Sequence, residues 1–600
     1  MSLSLPSAEA FASEPNFGVR GFRSIRSEPS SSTTTIQPSA PVVAELTDAE
    51  EAEILTKRFD QWNQMRLKQK QDIARKMDWK DAVKFALGLW LLQRAVHAVG
   101  LKVRIVAPVL AMLTLVRSIW RNRATTPRYP GSGEVYTNWP IWGQMGIIPD
   151  ALNLGGNVLQ MHVANLRKFA SGEVVMFGKP NEFSLMDPND RRYMLRTNWK
   201  NFTKNQADGS GFQEKFAEVM GRGIFAVDGE EWADQRKVAS HMFSANGLRL
   251  KMERSFTSHG LKTVDLLMRG NHVGKQLDFQ DLMANLTFET ICDIAFGVSP
   301  GSLESGLANG KKIDFLLQFD RAQQYSALRF VFPTPVWKLL RYLNVGSERQ
   351  LRKDGENLRQ YVGNIVRNHQ DGDDNMLSLY IRTGKQTGKK FMLEEDYLVD
   401  TILNFMIAGR DTTSCLLTNM FKLMTPEVER KMLDELDRVV GRSANVNWDH
   451  VRDLQYCSAV FNEVLRLYPP VGFDVRTAVE DDVFPSGLEV KAGENVVFPM
   501  VAIGRDPHLF DNPNQFLPER WILDPSKPTN RPDELVFPVF WGGPRLCLGK
   551  DMARLEALNV AYSLLKHFTI EVLPHNEKMV IGPVQFYEHG LPVKIHLRKD

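Results

Sequence analysis

One cysteine of this chain sits where a thiol could do chemistry. In Phe540-Trp-Gly-Gly-Pro-Arg-Leu-Cys-Leu-Gly549, Cys547 lies in a loop of glycines, and a helical pattern begins at Lys550. Glycines permit the tight turns that bring backbone N–H groups to a sulfur. A helix N-terminus after the cysteine adds partial positive charge, which lowers a thiol's pKa and stabilises a thiolate. The other cysteines, Cys292, Cys415 and Cys457, fall in apolar helical patterns, where a thiol reads as a small buried hydrophobe. Their spacing fits neither a zinc site nor a disulfide framework.

A second chemical feature interrupts an apolar run. Leu398 to Met424 reads as one long helix broken by Ala408-Gly-Arg-Asp-Thr-Thr413. Glycine costs a helix interior about 1 kcal/mol relative to alanine, and an acid beside hydroxyls in an apolar helix is costlier unless it is used. Such a breach points to function at Asp411 and Thr412, the plainer alternative being a capped helix break. Two further pairs share helix faces. Glu463 and Arg466 are three apart before Pro469 and Pro470 end their helix, and Trp232 and Arg236 are four apart. Alone, the first is an ordinary ion pair and the second ordinary packing.

The elements that must position these residues are mostly helical. Of 600 residues, 43% are hydrophobic and 24% charged, the balance of a packed enzyme. A net charge of +3 is too small to suggest nucleic-acid binding by itself, and no nucleic-acid partner is expected. Residues 1–82 read as a disordered and then charged extension. Its Ser/Thr/Pro-rich start, with Arg20, Arg23 and Arg26, also suits a transit peptide. Residues 83–120 hold two apolar stretches, Phe85–Leu101 and Ile105–Val116, neither a clean run of the roughly 20 residues a bilayer span needs. With flanking Arg and Lys and with Trp90 and Trp120, they read as a membrane-associated segment, a pair of buried helices being the alternative. Residues 127–600 read as one large domain, expected to be catalytic. Strand-like pieces occur only around Glu173–Phe177, Leu488–Val497 and Pro592–Leu597, so the fold class is mainly α, an α+β domain with small sheets.

Phe540, Gly543, Arg545, Cys547 and Gly549, continued by Ala553 and Glu556, match the fixed positions of the haem-binding signature of the cytochrome P450 family, which the chain resembles. The resemblance implies the P450 fold, with a haem between the oxygen-binding helix and the cysteine-loop helix. It makes Cys547 the axial thiolate of a haem b, pushing electron density toward O2. Phe540 then shields the sulfur, and Trp232, Arg236, Arg476 and Arg545 serve the propionates. Glu463, Arg466 and Arg520, the last from Pro518-Glu-Arg-Trp521, become a structural charge network. Ala408 and Gly409 shape the oxygen groove, with Asp411 and Thr412 as its proton relay.

Phe405-Met-Ile-Ala-Gly-Arg-Asp-Thr-Thr413, Ala478-Val-Glu-Asp-Asp-Val483 and Gly223-Ile-Phe-Ala-Val-Asp-Gly229 resemble the plant-type fatty-acid omega-hydroxylase group, over about Gly221 to Leu597. Ala408 stands where related animal enzymes carry a glutamate esterified to haem, so the haem is expected to be non-covalent apart from the thiolate bond. Phe405, Ala408, Val471, Phe473 and Phe586 are candidate walls for a lipophilic substrate. The implied electron donor is an NADPH-cytochrome P450 reductase, or another flavoprotein or ferredoxin, docking near Lys550, Arg554 and Lys566. The implied location is a membrane, that of the endoplasmic reticulum or else of a plastid or mitochondrion. Rival readings are oxidation of a sterol or carotenoid, and a haem-based ligand sensor.

Overall fold

The helix Phe279–Phe296 runs through the core: nearly all of its residues are buried, polar Asn285, Thr287 and Glu289 among them. Around it the computed structural model describes residues 182–598, apart from 207–210, 271, 311, 333, 370–374, 523–534 and 581. The extension 1–82, the apolar segment 83–120 and the piece Glu173–Phe177 lie outside the described residues.

The helices that position the site are α1 (Gly229–Ser244), α2 (Asn246–Arg269), α3 (Phe279–Phe296), α4 (Asp314–Val331), α5 (Glu395–Met406), α6 (Thr412–Leu423), α7 (Gln455–Leu467) and α8 (Lys550–Leu565). Helix α3 starts at an Asp278 side chain that accepts from the Gln280 and Asp281 amides. It ends at Gly297 in the left-handed conformation. It packs against α2 and α6, and α8 packs against α2 and α6. The main apolar core lies among these helices.

The strands are β1 (Glu182–Ser184), β2 (Phe202–Thr203), β3 (Gln276–Asp278), β4 (Asp474–Ala478), β5 (Asp482–Val483), β6 (Glu489–Val490), β7 (Asn495–Phe498), β8 (Phe568–Val572) and β9 (Pro592–Leu597). They form sheets ordered β1-β7-β4-β2, β3-β9-β8 and β5-β6. The first has its own apolar core, which includes Phe183, Leu195, Phe202 and Phe498. The expected strand Leu488–Val497 is two short strands, because Gly493 turns the chain between β6 and β7 at φ +85°. The architecture is mainly α with small sheets, as expected.

The long helix expected over Leu398–Met424 is present as α5 and α6 joined by one π-helical turn, Ile407–Asp411. A π turn places an extra residue in the helix and releases local carbonyls. Here the Thr287 hydroxyl of α3 donates to the Arg410 carbonyl at 3.0 Å, and the Thr412 hydroxyl donates to the Ala408 carbonyl at 2.6 Å. Gly409 also has a packing role. A Cβ there would come within 2.6 Å of the Ile291 side chain, so the missing side chain serves the close approach of α3.

Candidate active site

Cys547 is held by a folded loop. Single 3-10 turns at Pro538–Phe540 and Gly543–Arg545 lead to it, its amide donates to the Phe540 carbonyl at 2.9 Å, and α8 begins three residues later. Gly543 is required in that loop. Its φ is +60°, and a Cβ would stand 2.1 Å from the Leu195 carbonyl oxygen. Next to it Trp541 takes φ +65° without being glycine, packed against Phe498 with ring centroids 4.7 Å apart. Phe540 stacks on Phe461 of α7 at 6.2 Å.

Among the four cysteines, Cys547 alone is exposed, while Cys292, Cys415 and Cys457 are buried. Burial pushes the Cys415 thiol up to about 12 and holds Cys292 and Cys457 well above the usual range. The Cys547 side chain reaches solvent, yet the protein packed around it desolvates the thiol and pushes it up as well. The Gly549 amide, Arg236 and Lys550 pull the other way without prevailing.

Positive charge gathers beside this loop from four parts of the chain. Arg545 lies 4.4 Å above the Trp232 ring, and its Nη2 donates to Asp228 at 2.7 Å. Arg476, brought in by the β4–β7 pairing, lies 4.5 Å over Trp541 and donates to Asp474 at 2.6 Å. Arg236 on α1 is close enough to act on the Cys547 charge. Lys204, which sequence reasoning missed, donates to the Phe225 carbonyl and is pushed down to about 7 by burial and by Arg476 and Arg545. Nothing in its local sequence marks it; only folding brings it to the two arginines. The Nε and Nη1 of Arg545 are buried without a hydrogen-bond partner, a costly arrangement unless an anion takes them.

Across the site, Asp411 is fully buried and its oxygens accept from Gln323 Nε2 at 2.9 Å and Arg410 Nη1 at 2.7 Å. Burial pushes its carboxyl up to about 6 against the pull of Arg410. Arg410 also reaches Asp320 at 2.6 Å, and Asp320 is bonded to Lys312 at 3.2 Å. Asp411 and Thr412 do not bond to each other through their side chains; the Thr412 hydroxyl is on Ala408. Below them, Glu556 of α8 is buried beside Thr413 and pushed up to about 8 by burial.

Glu463 and Arg466 form a buried, two-bond pair at 2.7 and 2.8 Å. Arg520 Nε, Trp521 Nε1 and the Leu517 amide also donate to Glu463, at 3.0, 2.9 and 2.9 Å. Arg466 donates onward to the carbonyls of Gly504, Pro513 and Gln515, so the meander before the cysteine loop hangs on α7. Of the candidate substrate residues, Phe405 lies one turn before Ala408 on α5, and both are partly buried. The Gln585 amide donates to Pro470 and its side chain to Pro469, which brings the segments of Val471 and Phe586 together. Phe473 is exposed. Lys566 sits at the far end of α8 from Lys550, bonded to the Ala444 carbonyl, so the expected basic group divides.

The family model described as Cytochrome P450 matches residues 135–593. The chain belongs to the cytochrome P450 family. Among curated relatives of this P450, cytochrome P450 94A2 of Vicia sativa is 32% identical over 80% of this chain and 94% of its own length. Cytochrome P450 94B3 of Arabidopsis thaliana is 34% identical over 74% of this chain and 88% of its own length. Cytochrome P450 86B1 of Arabidopsis thaliana is 30% identical over 77% and 86%. Membership makes this P450 a monooxygenase that works with haem-thiolate iron, O2 and a separate electron donor. The site fits such a group: an open thiol, clustered cations and two unpartnered Arg545 donors suit a metal-bearing, dianionic ring. No helix among the described residues is long and apolar enough to cross a membrane.

Proposed function

We propose that this P450 hydroxylates a long-chain fatty acid at or near its terminus, using a haem b held by Cys547. The observation that carries the haem assignment is the Arg545 guanidinium, clamped by Asp228 and Trp232 with two buried donors left over beside the cysteine loop. When bound, the thiolate-ligated haem supplies the activation of O2 that lets an unactivated C–H bond be oxidised. Arg545, Arg476, Arg236 and Trp232 hold its edge, with Lys204 beside them. Support for the fatty acid comes from the resemblance of the Phe405–Thr413 and Gly223–Gly229 segments to the plant-type omega-hydroxylases, and from the apolar Phe405, Val471 and Phe586.

The chain's own residues manage protons. Asp411, near 6 by burial, holds or releases a proton at its carboxylate around neutral pH, with Gln323 and Arg410 fixing its oxygens. Thr412 offers its hydroxyl from the start of α6, where it bonds back to the Ala408 carbonyl of the π turn. The Arg410–Asp320–Lys312 chain of ion pairs links Asp411 toward the surface. An NADPH-dependent flavoprotein reductase docks over Lys550 and Arg554, and 83–120 attaches the enzyme to a lipid membrane, that of the endoplasmic reticulum.

The test is turnover of a fatty-acid panel by the full chain with a supplied reductase, scored by the position of the new hydroxyl. Terminal or near-terminal hydroxylation is expected. Products oxidised elsewhere, or turnover of sterols or carotenoids alone, overturn the substrate assignment and leave the family untouched.

A further inference from the structure

The Asp228 carboxylate stands at the N-cap of α1 and does not cap it. Its Oδ1 accepts from Arg545 Nη2 at 2.7 Å, while its Oδ2 accepts from the Lys204 amide at 3.0 Å, the Asn205 amide at 3.1 Å and Asn205 Nδ2 at 3.0 Å. An N-cap aspartate that forgoes its helix gives up the stabilisation a cap provides. Here the carboxylate joins three segments far apart in sequence: the cysteine loop, the start of the helix carrying Trp232 and Arg236, and the loop carrying Lys204.

The consequence falls on Arg545. Trp232 takes its face, Asp228 takes Nη2, and the side chain is 9% exposed, so the guanidinium is fixed while Nε and Nη1 stay without a partner. Arg476 and Lys204 add positive charge nearby, and Asp474 is bonded to Arg476 as Asp228 is to Arg545.

We propose that Asp228 is a positioning residue for the haem. It fixes Arg545 so that the two free donors are left for a propionate, and its negative charge offsets part of the positive field at the haem edge. The inference rests on the reading that the Cys547 loop holds haem.

The experiment uses the full chain loaded with haem and compares wild type with Asp228→Asn, Arg545→Gln and the double variant. Readouts are the rate of haem transfer to excess apomyoglobin and the ferric/ferrous midpoint potential. Asp228→Asn is expected to speed haem loss about tenfold, as loss of a supporting contact behind a metal-site group does. It should also move the potential positive, because a removed negative charge favours the reduced centre. The double variant should lose haem no faster than Arg545→Gln, since Asp228 acts through Arg545. Should Asp228→Asn fail to fold, Asp228→Ser, which can cap α1, must give the same positive shift. Wild-type transfer rate and potential in a folded variant, or additive effects in the double variant, overturn the proposal. A wild type without the carbon monoxide difference spectrum of a thiolate-ligated haem instead removes the underlying reading.

Discussion

Gln323 of α4 donates to the buried Asp411 carboxylate at 2.9 Å across 88 positions of sequence. A helix above the site thereby holds the acid that interrupts the apolar run, and its donation favours the ionised carboxylate, opposing the burial that raises Asp411 to about 6. Replacing Gln323 with leucine removes that support, so the Asp411 pKa rises further. In product formation measured from pH 5 to 8, whichever inflection Asp411 controls should move to higher pH. An inflection that stays in place counts against Asp411 as a proton carrier.

Asp411 and Thr412 are also testable directly. General acid–base groups contribute about 10²–10⁴-fold, so Asp411→Asn should slow hydroxylation within that range. Thr412→Val leaves electron delivery intact and should lower the product formed per NADPH consumed. Product and NADPH measured together decide it, and full coupling in the Thr412 variant would remove that hydroxyl from the mechanism.

Glu556 sets a pH-dependent stability term. Its folded pKa near 8 lies above the ordinary 4.5, so the native state holds the proton more tightly than the unfolded state. The contribution is fully present below about pH 4.5 and is lost as pH rises through about 8. Urea unfolding of wild type and Glu556→Gln should therefore diverge steadily between pH 5 and 8, with wild type losing stability relative to the variant. Parallel curves would mean that Glu556 is already ionised in the fold.

The Glu463 network should be costly to break and cheap at its rim. Glu463→Leu strands the buried Arg466 and is expected to destabilise by about 3–5 kcal/mol. Arg520→Leu, at a more open position, should cost less than Glu463→Leu. Denaturant midpoints of the two variants check the order.

Gly543→Ala meets both a left-handed φ and the Leu195 carbonyl, and should cost more than about 1 kcal/mol. The collision lies in the loop that holds Cys547, so haem bound per polypeptide should fall as well. Normal haem content would show that the loop can shift away from Leu195.

Much of this enzyme was legible in its sequence because the informative signals are local. The glycine loop around Cys547, the breach at Ala408–Thr413 and the three-residue spacing of Glu463 and Arg466 each lie within one turn or one helix face. Local geometry fixes such relationships before any long-range contact forms. Gly409 shows the limit: only the fold reveals that a Cβ there would meet Ile291 on another helix. The same holds for Lys204, Asp228 and Gln323, whose meaning comes from partners far along the chain. Sequence alone determined the family and singled out Cys547, Asp411 and Thr412 as candidates. Tertiary structure decided which charges surround them, because charge acts through space and only the packed chain sets those distances.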